Sequence, residues 1–560
     1  MFQSFVLPLH ARIGFAFLSA VAALFAAQSP ALSVAQEPAA SPTPWQPKIH
    51  FYAPPNWIND PNGPIYLNGQ YQLFFQHNPF GDEWGHMTWG HAVSSDLVHW
   101  KHLPDAIPEA DGIMIFSGST VEDRDNTSGL CGAAGQKTPG CLVAIYTGHT
   151  ETKQAQNLAV SPDGGVTWTK YSGNPVIDLG LKDFRDPKVF WYEPTKSWVM
   201  VVALPDEHKV RFYRSKNLRQ WDLGGEFGPA GAVGGVWECP DLFELPVREQ
   251  PGRHDVIGKT VDKRWVLSVN INPGGVNGGS ADQYFVGQFD GSRFTEDHPG
   301  SGPHWADWGK DFYASTSFSN LPAGPSAKQD RIWLAWMGNW DYAGKAPSLP
   351  GRGEMTIARS LYLLEPDSHA NPTPSQEPLV LVQRPILPTP VYKPSQAMFG
   401  DAPYETISQA NDVIASKKLS GSVYLLRLRL DPGDAAEAGI ALRRSSLNSN
   451  DPAGEETLIG VDREKGTIFV DRKHSGKSDF SSEFPARISA PLKHAQANSI
   501  RLEIVVDRNS VEVFAEDGET VLTDLIYPSE GSTGIGFYST PTPPGVGPAL
   551  VRGVEFIPLD

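Results

Sequence analysis

Cysteine is scarce in this chain: 3 in 560 residues, beside 54 glycines and 49 prolines. Three thiols allow one disulfide at most. Cys131 and Cys141 bracket a glycine-containing loop and either bond across it or pack as small hydrophobes; Cys239 is left over, a candidate reactive thiol or a buried filler. Basic charge is also short, with 46 Lys and Arg against 63 Asp and Glu, a formal charge of −17. That balance argues against a phosphate-binding surface, and so against a nucleic-acid partner. No block of like charge marks an interaction tail. Beyond the N-terminus no apolar run reaches the ~18 residues that a membrane span needs. Helical periodicity is missing from Trp45 to about Leu364. Tryptophan is missing from the last 220 residues: all 16 lie between Trp45 and Trp340, so two regions follow different building rules.

The N-terminus alone is membrane-directed. Arg12 precedes the apolar run Phe15–Ala27, and Ser33-Val34-Ala35 offers small residues at a cleavage site. This pattern predicts a signal peptide over 1–35, hence a secreted or periplasmic protein with no membrane contact after cleavage. A Pro/Ser/Ala linker follows over 36–44.

What fills residues 45–365 is a series of short apolar runs, such as Leu142–Tyr146 and Trp198–Val202, punctuated by Gly, Pro, Asn and Asp, which read as strands. A degenerate repeat runs through them: Ser95–Trp100, Ser161–Trp168, Ser215–Trp221 and, more weakly, Phe289–Phe294. Each is a turn ending in an aromatic that begins another strand. The aromatics are 68, 53 and 73 residues apart. Roughly 65 residues per four-stranded unit over about 320 residues predicts a five-bladed β-propeller. Residues 366–394 are Pro-rich and read as a linker. Residues 395–560 show period-2 alternation, as in Val423–Leu430 and Ile500–Val506, with a hairpin turn at Asp507–Ser510. They predict a C-terminal β-sandwich, so the whole chain reads as all-β.

Three segments carry acids that strand packing does not require. In Trp57–Gly63, Asp60 reads locally as an Asx-turn residue. In Phe184–Phe190, Arg185 beside Asp186 is either a surface pair or a clamp for ligand hydroxyls. In Trp237–Phe243, Glu238 stands between Trp and Cys, where desolvation would raise its pKa as a general acid needs. Each is weak alone. Together they place one carboxylate near a strand start in three successive blade-sized units, positions that in a propeller can converge on the central channel. Paired carboxylates of unequal pKa perform glycoside hydrolysis, and Trp57, Trp84, Phe116 and Trp237 offer faces for a sugar.

These segments resemble the three acidic motifs of glycoside hydrolase family 32, which includes invertases, inulinases, levanases and fructan exohydrolases. Phe74–Pro79, Trp84–His91, Phe116–Ser119, Gly309–Ala314, Trp336–Trp340 and Ser510–Phe514 are also similar to the family, so the match spans about 50–556. The resemblance implies a propeller followed by a sandwich, with Asp60 as nucleophile, Glu238 as general acid and then base, and Asp186 as transition-state stabiliser. It implies that Trp57, Asn59, Gln76, Trp84, Phe116, Ser117, Arg185 and Trp340 line a fructose subsite. Retention would set the two reacting carboxyls about 5–5.5 Å apart. No metal or other cofactor is expected; the histidines show no recurring ligand spacing.

Val236–Phe243 and Trp84–His91 look most like secreted levanases and exo-inulinases. The implied activity is release of terminal β-fructose from levan, inulin and sucrose. A sucrose-restricted invertase and a fructosyltransferase share the same fold; a binding protein without catalysis and an inverting propeller glycosidase are further alternatives. One departure stands out: Pro350-Gly351-Arg352-Gly353 replaces the usual Pro-Trp-Arg-Ser, which predicts a more open pocket rim.

Overall fold

The computed structural model describes residues 43–133, 137–249, 258–322, 331–348, 350–365, 378–387, 405–445, 454–492, 499–542 and 547–559. Repeated turns set the strand spacing in its first part. Asp96, Asn217 and Asp290 each accept hydrogen bonds from backbone N–H groups two and three residues on, and Asp163 accepts one from Thr167. Side-chain acceptors close such turns locally. Trp100, Trp168 and Trp221 then donate Nε1–H to the carbonyls of Leu97, Gly165 and Leu218, three residues back, at 3.1, 3.0 and 2.8 Å. The tryptophan repeat is therefore a turn-closing device.

Four strand groups follow one another: β1 (Asn56–Leu67), β2 (Gln70–Asn78), β3 (Thr88–Ser94) and β4 (Trp100–Ile107); β5 (Met114–Glu122), β6 (Leu142–His149), β7 (Gln154–Ser161) and β8 (Thr169–Lys170); β9 (Arg185–Tyr192), β10 (Ser197–Leu204), β11 (Lys209–Ser215) and β12 (Asp222–Phe227); β13 (Val236–Arg248), β14 (Thr260–Asn272), β15 (Ala281–Phe289) and β16 (Phe294–Glu296). Within each group, neighbours pair antiparallel in chain order. After β17 (His304–Trp305) come β18 (Tyr313–Ser317), β19 (Ile332–Trp336), β20 (Gly351–Arg352), β21 (Arg359–Leu364) and β22 (Val380–Pro385). β1, β5, β9, β13 and β18 each pack against the next, and β18 packs back on β1, so these inner strands form a closed ring around an axis. This is a propeller, and a ring has no exposed inner edge. The last group is not a separate sheet. β21 joins β13 in parallel, Val247 beside Leu363 and Arg248 beside Leu364, which closes the gap between the fourth group and the last.

Within the stretch read as a linker, Val380–Pro385 is a strand paired to β21. The apolar run Leu379–Val382 buries Leu381 and Val382 there, which outweighs the surrounding prolines. Residues 366–377 and 388–394 of that stretch, the signal peptide over 1–35 and residues 36–42 of the first linker lie outside the described residues. Cys131 and Cys141 are joined by a disulfide, with Cα atoms 6.0 Å apart.

The second part packs a six-stranded antiparallel sheet on a five-stranded one. Alternate residues such as Leu426, Leu428, Leu430, Leu502, Ile504 and Val506 fill the core between them, as a sandwich requires. An α-helix, α1 (Ile407–Lys417), opens this part behind a capping box of Thr406 and Gln409. It buries only Ala410 and Ile414, too few to show a period in the sequence.

Ion pairs fill the face between propeller and sandwich. His50 lies 2.8 Å from both Asp507 and Glu512, Arg359 reaches Asp307 and Glu512, and Arg472 reaches Asp311, all buried.

Candidate active site

Each inner strand gains one residue over its antiparallel partner at the same level. The extra residue falls between Ile58 and Pro61 in β1, Ile115 and Gly118 in β5, Arg185 and Lys188 in β9, Glu238 and Asp241 in β13, and Tyr313 and Thr316 in β18. Asp186, Cys239 and Ala314 take φ of +66°, +44° and +54° at these points. A bulge re-aims side chains and bends its strand. Here the ring of bulges gathers Asp60, Ser117, Asp186, Glu238 and Tyr313 at one end of the axis.

Asp60 is held on both oxygens. Asn59 Nδ2 donates to Oδ1 at 2.9 Å and Ser117 Oγ to Oδ2 at 2.6 Å. Trp57 Nε1 donates to Asn59 Oδ1 at 2.8 Å and so orients that amide. Cys239 links two acids: its Sγ lies 3.6 Å from Asp60 Oδ2 and 3.6 Å from Asp186 Oδ2, and its backbone N–H donates to Asp186 Oδ2 at 2.9 Å. Glu238 receives Arg185 Nε on Oε1 at 3.0 Å and the Tyr313 hydroxyl on Oε2. Arg185 is fixed in turn by Asp183 at 2.7 Å and Gln154 at 3.2 Å.

Burial dominates the electrostatics. It pushes the Asp60 carboxyl up; Ser117 and Asn59 oppose the rise and the charge of Glu238 adds to it. Asp186 is pushed up to about 7 by burial, against the attraction of Arg185. Burial and the surrounding carboxylates also raise the Cys239 thiol well above its ordinary value. Cys239 is therefore a protonated hydrogen-bond donor. The reactive-thiol reading is corrected.

The sequence-predicted residues divide by distance from the acids. Asn59, Ser117 and Arg185 touch them directly. Trp57 is buried and acts through Asn59. Gln76 is buried and donates to Asn62, whose own amide donates to the Asp60 carbonyl at 2.6 Å. Trp84 is half-exposed and meets Phe116 edge-on at 5.9 Å, while Phe116 stacks on His149 at 4.2 Å. Trp340 stacks on Trp57 at 6.0 Å.

Other expectations change. Trp237 is fully buried with Nε1 bonded to the Ala232 carbonyl, because strand alternation turns it away from Glu238. The apolar company expected for Glu238 is thus replaced by Arg185 and Tyr313. At Gly351 an added Cβ would lie 2.0 Å from the Pro54 carbonyl, and at Gly353 2.2 Å from that of Ile58. The local backbone therefore leaves no room for a side chain at either glycine. Tyr313, His149 and the linking role of Cys239 were missed. Cys239 and Tyr313 had a signal, since both stand inside motif segments; His149 had none.

The family model described as "Glycosyl hydrolases family 32 N-terminal domain" matches residues 50–378, and "Glycosyl hydrolases family 32 C terminal" matches 401–546. A levanase of Bacillus subtilis (strain 168) is 44% identical over 501 residues, covering 88% of this chain and 68% of that protein. An extracellular exo-inulinase of Aspergillus awamori is 39% identical over 520 residues, covering 87% and 90%. The solved exo-inulinase structure from Aspergillus awamori aligns with a TM-score of 0.77 at 36% identity, covering 92% of this chain and 98% of that one.

Proposed function

The chain belongs to glycoside hydrolase family 32, and on that footing we propose how it works as a β-fructofuranosidase hydrolysing fructans and sucrose. The five bulged inner strands are read as five blades, spanning about 45–365, with the sandwich over 395–560. A terminal β-fructosyl unit enters the open end of the channel. Asp60 attacks the anomeric carbon as Glu238 gives its proton to the departing oxygen, which breaks the glycosidic bond and leaves a fructosyl ester on Asp60. Glu238 then takes a proton from water, whose oxygen attacks the same carbon and frees fructose with retained configuration. Asp186 and Arg185 bind ring hydroxyls through charge-assisted hydrogen bonds. Asn59, Ser117, Trp57, Gln76, Trp84, Phe116 and Trp340 shape the fructose subsite around them.

The observation that carries this reading is the two-sided grip on Asp60 opposite a Glu238 held by Arg185 and Tyr313. The levanase relative supports levan as a substrate, and the extracellular exo-inulinase supports terminal attack on inulin and export. Product analysis tests it. Fructose alone from levan and inulin at early times, first in its β form, is expected. Early oligosaccharides would replace terminal hydrolysis with internal cleavage or transfer; the α form would replace retention with inversion.

A further inference from the structure

Catalytic residues occupy one end of the inner strands; a separate cavity of about 540 Å³ opens at the other. Its walls come from later residues of the same strands, Glu122 in β5, Phe190 and Trp191 in β9, and Glu244 in β13, with Trp265 from β14 and Arg331 before β19. At about 3.3 Å per residue, Phe190 stands roughly 13 Å along β9 from Asp186. Lys188 lies between the two. Its ammonium donates to Asp241 at 3.0 Å and to the Ser317 carbonyl at 2.6 Å, and it borders this cavity as well as the small one beneath the acids.

We propose that this far mouth of the channel is a second saccharide site, which holds a fructan chain without cleaving it. Its volume falls within the range of small-ligand pockets, about 300–1,000 Å³. Aromatic rings supply flat apolar faces: Trp191 is 38% exposed and Trp265 packs beside Phe190 at 5.6 Å. Glu244, partly exposed and paired with Lys263 at 2.8 Å, supplies an acceptor, whereas Glu122 is taken up by Arg124, Gly140 and Asn320. Arg331 supplies donors. Its Nε has no partner, its Nη1 reaches the Phe318 carbonyl at a long 3.4 Å, and no acid lies within ion-pair distance among the described residues. The guanidinium also lies 5.4 Å over the Phe243 ring, and its remaining N–H groups leave donor capacity for a ligand hydroxyl at the cavity wall. With acids and cations both on the wall, the fitting ligand is a neutral polyol carrying donors and acceptors. No nucleophilic carboxylate pair with an acid-holding tyrosine recurs among the described residues here, so binding is the expected role. The choice of fructan as the saccharide rests on the family reading; the site does not.

The test uses full-length protein with the Asp60→Asn exchange, titrated calorimetrically with an inulin-type trisaccharide. Two binding events per chain are expected. Trp191→Ala, at an exposed position, should remove one of them, and Arg331→Met should do the same. In otherwise wild-type protein, Trp191→Ala should raise KM for inulin roughly tenfold, the worth of about one stacked ring, with kcat/KM for sucrose unchanged. A single event that both variants leave intact, or a second event that survives both, overturns the proposal. If Trp84→Ala left the other event intact while Trp191→Ala still removed its own, the fructose-subsite reading would fall and the far site would stand.

Discussion

Cys239 donates its backbone N–H to Asp186 Oδ2 at 2.9 Å, so the bulge of one inner strand is tied to the acid of its neighbour. The thiol beside it is partly exposed, and desolvation and the surrounding carboxylates suppress its ionisation. Native protein should therefore resist alkylation at neutral pH. With Cys131 and Cys141 bonded, mass spectrometry after iodoacetamide should find no modified cysteine in the native protein and one after denaturation. Rapid native labelling of Cys239 would show that the thiol is more acidic than its surroundings allow.

The acids should fail in different ways. Asp60→Asn and Glu238→Gln should each lower kcat on sucrose by about three orders of magnitude or more, as removal of reacting groups does. A fructoside with a good leaving group needs no proton from Glu238, so its first step should recover in Glu238→Gln and stay lost in Asp60→Asn. Pre-steady-state release of the leaving group measures this. Recovery in both variants would remove Asp60 as nucleophile.

Much of this centre is legible in the residues, and the rest is hidden for a physical reason. Asp60, Asp186 and Glu238 are weak signals singly and stand out only together, as one acid near a strand start in each of three successive units whose segments resemble the family's motifs. Their convergence depends on bulges, and a bulge is a mismatch of register between two strands. Nothing in Trp57–Gly63 states that Gln76 will face two residues of β1. Tyr313 is similar: its hydroxyl meets Glu238 only because β18 and β13 are adjacent in the ring. The hidden strand Val380–Pro385 shows the opposite failure, where proline density masked a short apolar run.

Ser117 lowers the pH at which Asp60, the proposed nucleophile, ionises. Its hydroxyl opposes the rise that burial imposes on Asp60. A carboxyl with a raised pKa ionises only at higher pH, so Ser117→Ala should move the acidic limb of the kcat/KM profile upward. The profile on sucrose across pH 3–8, a span of about five units around carboxylate values, measures this. An unmoved acidic limb would mean that a group other than Asp60 governs it.

The sandwich should stabilise the propeller through His50. Burial alone would lower the His50 pKa, but hydrogen bonds to Asp507 and Glu512 raise it from 6.5 to about 10. A raised folded value means that its contribution is full below pH 6.5 and is lost as pH climbs through about 10. Asp507 and Glu512 are lowered, burial being outweighed by His50 at the first and by Arg359 and His50 at the second, so their contribution is full above their ordinary values of 3.8 and 4.5 and is lost as pH falls. The network therefore stabilises most between those limits, at mildly acidic pH. His50→Leu leaves buried acids without their shared cation and should cost about 3–5 kcal/mol there. The difference from wild type in denaturant unfolding should shrink toward pH 10, where wild-type His50 also loses its proton. A difference that stayed constant from about pH 5 to about pH 10 would show that His50 acts through packing and carries no charge across this interface.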